Sequence, residues 1–303
     1  RRSTTTTIDG RSARRRSGPL LSLRPRVVGP KHMVAGHRLQ EELGTGPFGR
    51  VWEAVDPEGR PVVVKLLLPE LAERADASDA FRRVAEAVEV HRCIEHPYVA
   101  RAIRVIVEPE VARFGVVSER SPGRPLAQLD VSHAAQDGEE RAELSRLLFL
   151  FEELGEALHW IHRSGLVHGN VKPTNVIFQR GDFGLVPRVL DLSWSALGVA
   201  ATPDSVYISP EQFAGRVPTA ASDQWSYGTL ITRMLTSKRP DRSFGAVPDR
   251  LVDLLTRCRA REVHHRFPSM REAVDELRAA REELERPDEA PRSRRSRDRK
   301  SVV

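Results

Sequence analysis

The sequence predicts an α+β chain of two lobes, a small five-stranded β lobe with one helix followed by a larger, mainly helical lobe. Three observations predict it. Short β-branched apolar runs separated by turn residues fill the chain up to about residue 120. A Ser-Pro-Gly-Arg-Pro stretch at 121–125 reads as a linker. From residue 139 onward, long segments repeat apolar residues at helical spacing.

In order, 37–41 and 49–55 read as two strands joined by the Gly-rich turn Leu43-Gly-Thr-Gly-Pro-Phe-Gly49, and 62–67 is a third, apolar strand. A helix is predicted over 78–94, with Val84, Val88 and Val90 set among charges, then strands over 100–107 and 113–119. Beyond the linker, 139–164 is a long amphipathic helix that stops at Gly165, and 166–193 is strand-rich. Helices follow at about 220–235, 248–259 and 269–285. The expected organisation is a folded unit over 34–285, with lobes at about 34–120 and 125–285. Residues 1–30 and 286–303 read as disordered basic tails.

Charge sharpens this division. The chain of 303 residues carries a net +6, but the first 26 residues hold eight arginines against one acid, and 286–303 hold seven basic residues against three acids. Residues 27–285 are therefore left at −5, so the basic balance is no argument that the folded part binds nucleic acid. The tails are the candidates for contact with anionic surfaces. No run approaches the ~18 apolar residues of a membrane-spanning helix. The two cysteines are too few for a disulfide framework or a four-ligand zinc site. A reducing cytoplasm is the simplest compartment.

Only five of the 48 basic residues are lysines: Lys31, Lys65, Lys172, Lys238 and Lys300. In an arginine-rich chain, a lysine inside a folded core stands out as a position arginine would not serve. Lys65 lies mid-strand in an apolar run, which fits either a solvated strand face or an amine aimed at phosphates. Gly44, Gly46 and Gly49 are likewise ambiguous alone. In a dinucleotide fold they would open a helix, but Val51-Trp-Glu-Ala-Val55 continues as a strand. They therefore bridge two strands, as an ordinary hairpin turn or as a hairpin folded over a triphosphate. The polar residues of His168-Gly-Asn170-Val-Lys172-Pro-Thr-Asn175 sit at close spacing between apolar ones, as in a loop that coordinates a hydroxyl, a phosphate and a metal. Asp191 closes an apolar strand, a place where a carboxylate can hold a metal.

Taken together and in this order, these segments resemble the protein kinase family, in its bacterial eukaryotic-like serine/threonine branch, over about residues 34–285. Ser209-Pro210-Glu211 resembles the end of an activation segment, Asp223 lies at the start of a large-lobe helix, and Arg266 resembles the late arginine that pairs with Glu211. The resemblance implies ATP and Mg2+ as cofactors and a protein substrate or signalling partner. It implies Lys65 as the phosphate-holding lysine, with Glu86 as its partner from the helix and Glu89 as the rival, since neither has the usual spacing to His96-Pro97. It implies Asn175 and Asp191 as the metal ligands. Leu43, Val51, Val63 and Ile177 would sandwich the adenine, Ser118 would be a small gatekeeper, and the backbones of Glu119 and Ser121 would give linker hydrogen bonds. The literal string Asp182-Phe183-Gly184 matches the family's metal-binding signature. It follows Asn175 too closely, however, and reads as a hairpin turn, with Asp191 as the functional aspartate.

The chain departs from the family where the chemistry is most demanding. Asn170 stands where an aspartate accepts the substrate proton, and Lys172 follows it as in serine/threonine kinases. Gly169 replaces an arginine, and Leu192-Ser193 replaces Phe-Gly, removing a residue with free φ. Three functions follow in order of preference: an Mg-ATP-binding pseudokinase or strongly slowed kinase, an active serine/threonine kinase that tolerates Asn170, and a scaffold that uses no nucleotide.

Overall fold

The computed structural model describes residues 28–74, 76–108, 113–128, 140–181, 184–198, 206–236 and 247–286. Most of tail 1–30 and all but Arg286 of tail 286–303 lie outside the described residues.

The first lobe is an antiparallel sheet. Strands β1 (Met33–Val34), β2 (His37–Thr45), β3 (Gly49–Val55), β4 (Pro61–Leu67), β5 (Ala102–Glu108) and β6 (Arg113–Glu119) stand in the order β1-β2-β3-β4-β6-β5. The five expected strands are present, and the two-residue β1 adds a sixth at the edge. Strand β2 runs past Glu41 to Thr45 because the glycine turn is closed by its own backbone. Gly46 N donates to Gly49 O at 2.8 Å and Gly49 N to Gly46 O at 3.3 Å. Only glycine fits at 49, since a Cβ there would stand 2.3 Å from Leu66 O on the neighbouring strand.

Two helices follow β4, the four-residue α1 (Pro69–Ala72) and α2 (Ala77–Arg92). Helix α2 buries Ala80, Val84, Val88 and His91, a stripe at i, i+4, i+8 and i+11. Val90 falls off that stripe and is exposed. The stripe packs with Phe48, Leu67, Ala102, Phe114 and Val116 from the sheet.

The linker ends in a two-residue strand, β7 (Arg124–Pro125), which pairs with β8 (Val176–Gly181), and β8 pairs with β9 (Gly184–Val189). The second lobe is built around α3 (Glu140–Arg163), whose Leu144, Leu147, Leu148, Phe151, Leu154, Leu158 and Ile161 are buried. After the four-residue α4 (Pro210–Phe213) come α5 (Ala220–Thr236), α6 (Asp249–Cys258) and α7 (Met270–Glu285). Tyr227 of α5 donates its hydroxyl to Phe151 O at 2.7 Å, tying two helices through the core. Of the strand-rich span 166–193, only β8 and β9 are strands; residues 164–175 form a loop held from below by α5. Among the described residues no helix is long and apolar enough to cross a membrane.

Candidate functional site

The site lies where strand β4, the loop before β8 and the chain after β9 meet. The loop is shaped by backbone bonds to one buried carboxylate. Asp223, fully buried at the start of α5, accepts from His168 N at 2.9 Å and from Gly169 N at 2.7 Å, and His162 Nε2 lies 2.9 Å from it. The His168 ring lies between Leu190 O (Nε2, 2.9 Å) and Asn170 N, which donates to its Nδ1 at 3.2 Å. His168 thus braces the loop as a buried histidine.

The glycine at 169 has a local cause. Its φ is +68°, and a Cβ would come within 2.8 Å of the Ser195 Cβ and 2.9 Å of Pro218 Cγ. Gln212 Nε2 holds its carbonyl at 2.8 Å. We expect Gly169→Ala to lower stability by about 1–3 kcal/mol, seen as a lower urea midpoint with an unchanged slope.

Asn175 and Asp191 are brought together by the main chain. Leu190 N donates to Asn175 O at 2.9 Å, so the residue preceding Asp191 is bonded to Asn175. Asn175 Nδ2 donates to Asn170 O at 2.9 Å, which orients the amide. Asp191 has φ +66°, and its Oδ2 accepts a hydrogen bond from Lys65 Nζ at 2.6 Å. Lys172 is half-buried; burial pulls its pKa below the usual lysine value, Asp191 pushes it back up and Lys65 lowers it further. Lys65 pairs with Asp191 and Lys172 lies within range of both charges, an electropositive arrangement suited to phosphate oxygens. The Asn175 amide oxygen and the Asp191 carboxylate are hard donors of the kind that would hold Mg2+ together with substrate phosphates and water. Among the described residues no cluster of three or more His, Cys, Asp and Glu offers a metal cage without a substrate.

Helix α2 does not supply the expected carboxylate. Glu86 pairs with Arg82 at 2.8 Å and Glu89 with Arg92 at 2.9 Å, both on the exposed face. The reason is the helical period: the buried stripe runs through 80, 84, 88 and 91, and residues 86 and 89 fall outside it. Neither glutamate meets Lys65, whose carboxylate partner is Asp191 alone among the described residues.

The other candidates lie on the first-lobe sheet, the linker and β8. Val51 and Val63 are partly buried on β3 and β4, Leu43 is half exposed at the end of β2, and Ile177 is buried on β8. Ser118 lies opposite Val63 in the β4–β6 ladder. Glu119 N donates to Arg101 O at 3.0 Å, and the Glu119 carboxylate accepts from Arg101 N and from Arg188. Ser121 Oγ is buried without a hydrogen-bond partner. Asp182 and Phe183 lie outside the described residues, but the strands on either side pair down to Gly181 opposite Gly184. Strand pairing therefore takes in Gln179, Arg180, Gly181 and Gly184 of the span expected as a turn, 179–184.

Near α4, Ser209 caps the helix and exchanges bonds with Gln212 in a capping box. Arg266 meets Glu211 with two bonds, Nη1 to Oε1 at 2.7 Å and Nη2 to Oε2 at 2.8 Å. Burial raises the Glu211 pKa, but the bonds from Arg266, the backbone and Ser222 outweigh it and hold the carboxyl down at about 2.

Comparison with known proteins gives this geometry its context. A family model described as "Protein kinase domain" matches residues 37–278. The chain belongs to the protein kinase family. The kinase domain is 31% identical over 222 residues to the serine/threonine-protein kinase PknA of Mycobacterium tuberculosis, covering 70% of this chain and 49% of that protein. It is 33% identical over 224 residues to "Probable serine/threonine-protein kinase PkwA" of Thermomonospora curvata, covering 72% of this chain and 28% of that protein. The kinase domain thus spans about half or less of these relatives. The fold matches the crystal structure of the Mycobacterium tuberculosis PknI kinase domain with a TM-score of 0.64 at 21% identity, over 84% of this chain and all of the other, a likeness that speaks for the fold alone.

Sequence reasoning missed two parts of the site. Asp223 was legible only as a helix start, although a buried acid beside a polar loop was the available signal. Phe48 and Trp194, which both approach Lys65, carried no signal in residue spacing.

Proposed function

We propose that the kinase domain binds Mg-ATP and transfers phosphate to protein serine or threonine far more slowly than a kinase with an aspartate at position 170. The observation that carries this reading is Asn170 itself, seated in an otherwise well-braced loop. Its main chain is fixed by His168 and Asn175, while its side chain is an amide. An amide has no proton affinity near neutral pH and cannot take the proton of a substrate hydroxyl, a loss of about 10²–10⁴-fold.

The remaining groups fit phosphoryl transfer by positioning and charge neutralisation. Lys65 would hold the inner phosphates, Lys172 would face the transferred group, and Asn175 with Asp191 would hold Mg2+. Bound there, Mg2+ would supply positive charge that neutralises the phosphate oxygens. Val51, Val63, Leu43 and Ile177 offer apolar faces for an adenine, and the linker around Ser121 offers polar groups for its edge.

The test has two parts. Saturating Mg-ATP, at about 100 times its dissociation constant, is expected to stabilise the kinase domain by about 2.7 kcal/mol in a thermal-shift measurement. Absence of any shift would favour a scaffold that uses no nucleotide. Intact-mass spectrometry after incubation with Mg-ATP, with a generic protein substrate and a Lys65→Met control, then reads transfer. Wild-type turnover at an ordinary kinase rate of about 1–100 s⁻¹ would sink the slow-transfer reading.

A further inference from the structure

Lys65 is enclosed by two aromatic rings. Its Nζ stands 4.8 Å from the centre of the Trp194 ring and 5.6 Å from that of Phe48, while it donates to Asp191. All three side chains are withdrawn from solvent, with Lys65 5%, Phe48 2% and Trp194 2% exposed. The rings come from separate segments. Phe48 belongs to the glycine turn, and its carbonyl accepts from Leu68 N at 3.1 Å. Trp194 opens a single 3-10 turn, Trp194–Leu197, just after Asp191.

That turn is fastened to α2. Ser193 Oγ lies 3.2 Å from His91 Nδ1, and Arg83 Nε donates to Ala196 O at 3.1 Å. Trp194 and Leu197 join Phe48, Ala80, Val84 and Val88 in one apolar cluster. The cluster occupies the face of α2 from which a carboxylate would have to reach Lys65. With Glu86 and Glu89 turned outward, the negative faces of two rings stand beside the ammonium instead. Asp191 at φ +66° and Ser193 at φ +81° set the turn in left-handed backbone on either side of Leu192.

We propose that Phe48 and Trp194 form an aromatic cap over the Lys65 ammonium that an entering nucleotide must displace. The displacement clause rests on the reading of Lys65 as a phosphate-holding group; the enclosure of the amine does not.

The scarcity of lysine makes the test site-resolved. The full chain is acylated with acetic anhydride and the modification of each lysine is followed by mass spectrometry, with exposed Lys31 as the internal standard. Lys65 is expected to react far more slowly than Lys31. Trp194→Leu, which keeps an apolar side chain in the cluster, is expected to raise the Lys65 rate relative to Lys31 by about 2- to 30-fold, and to tighten Mg-ATP binding by a similar factor. Phe48→Leu is the second variant, used if unfolding curves show that the first is not folded. Lys65 labelling as fast as Lys31 in wild type overturns the cap, as does an unchanged Lys65 rate in a folded variant. Raised labelling with unchanged Mg-ATP affinity overturns the displacement. Raised labelling with no Mg-ATP binding by any form supports the cap and sinks the nucleotide reading.

Discussion

Replacing Asn170 by aspartate is expected to raise the phosphotransfer rate by about 10²–10⁴-fold over wild type. The structure makes this a clean substitution. The groups that fix residue 170 are main-chain ones: its N–H on His168 Nδ1 and its carbonyl under Asn175 Nδ2. Both survive the exchange of an amide for a carboxylate of the same shape, so the loop keeps its path while residue 170 gains a negative charge and a proton acceptor. Stability should move by less than about 0.5 kcal/mol, the range of substitutions that disturb no buried feature. Equal rates for wild type and Asn170→Asp would show that the missing base does not limit transfer. The first suspect would then be the absence of a helix carboxylate beside Lys65. Lys65→Met in the Asn170→Asp background should abolish the gain.

Arg266→Met is expected to destabilise the kinase domain by about 3–5 kcal/mol, because it leaves Glu211 buried and unpaired. Arg266 is 2% exposed and Glu211 8%. The guanidinium also donates to Ala221 O at 2.8 Å and to Ala260 O at 2.9 Å, and Trp225 lies 5.4 Å from its central carbon, so several elements lose a common partner. A urea titration measures the loss. In the Glu211→Gln, Arg266→Met double variant, a smaller loss than in Arg266→Met alone would isolate the penalty of the orphaned carboxylate. The pH dependence has a definite sign. The Glu211 pKa is depressed from 4.5 to about 2 in the fold. Its contribution is therefore complete above about 4.5 and is lost as pH falls through the window down to about 2. Arg266→Met should lose that acid-side slope. A slope that persists in the variant would assign the acid sensitivity to other carboxylates.

The fold was largely legible because its signals are local. Helix α3 shows in the spacing from Leu144 to Ile161, β4 in an unbroken apolar run, and the turn before β3 in three glycines, of which Gly49 has no room for a side chain. The closeness of Asn175 and Asp191 was legible too, because two strands paired antiparallel must return the chain to its starting point. The partner of Lys65 was not. Glu86 and Glu89 both lie near the right distance along the chain, but one residue along a helix turns a side chain by about 100°. Which face is buried depends on what packs there, and α2 turns Ala80, Val84 and Val88 toward a cluster that includes Trp194. Two-residue β1 and four-residue α1 escaped for a related reason: segments so short carry no period.

The sequence alone determined the family, the order of the lobes, the acidic folded part between basic tails, and an amide rather than a carboxylate at position 170. Each follows from residue identity and spacing along the chain. Only the tertiary structure decided what surrounds the lysine of β4. Trp194 and Asp191 are far from Lys65 in sequence, and the ring of Trp194 meets it together with Phe48 because the glycine turn and the turn after β9 fold into the same apolar cluster beneath α2. The ring faces and one carboxylate then set the environment of the ammonium, a through-space effect that no spacing along the chain encodes.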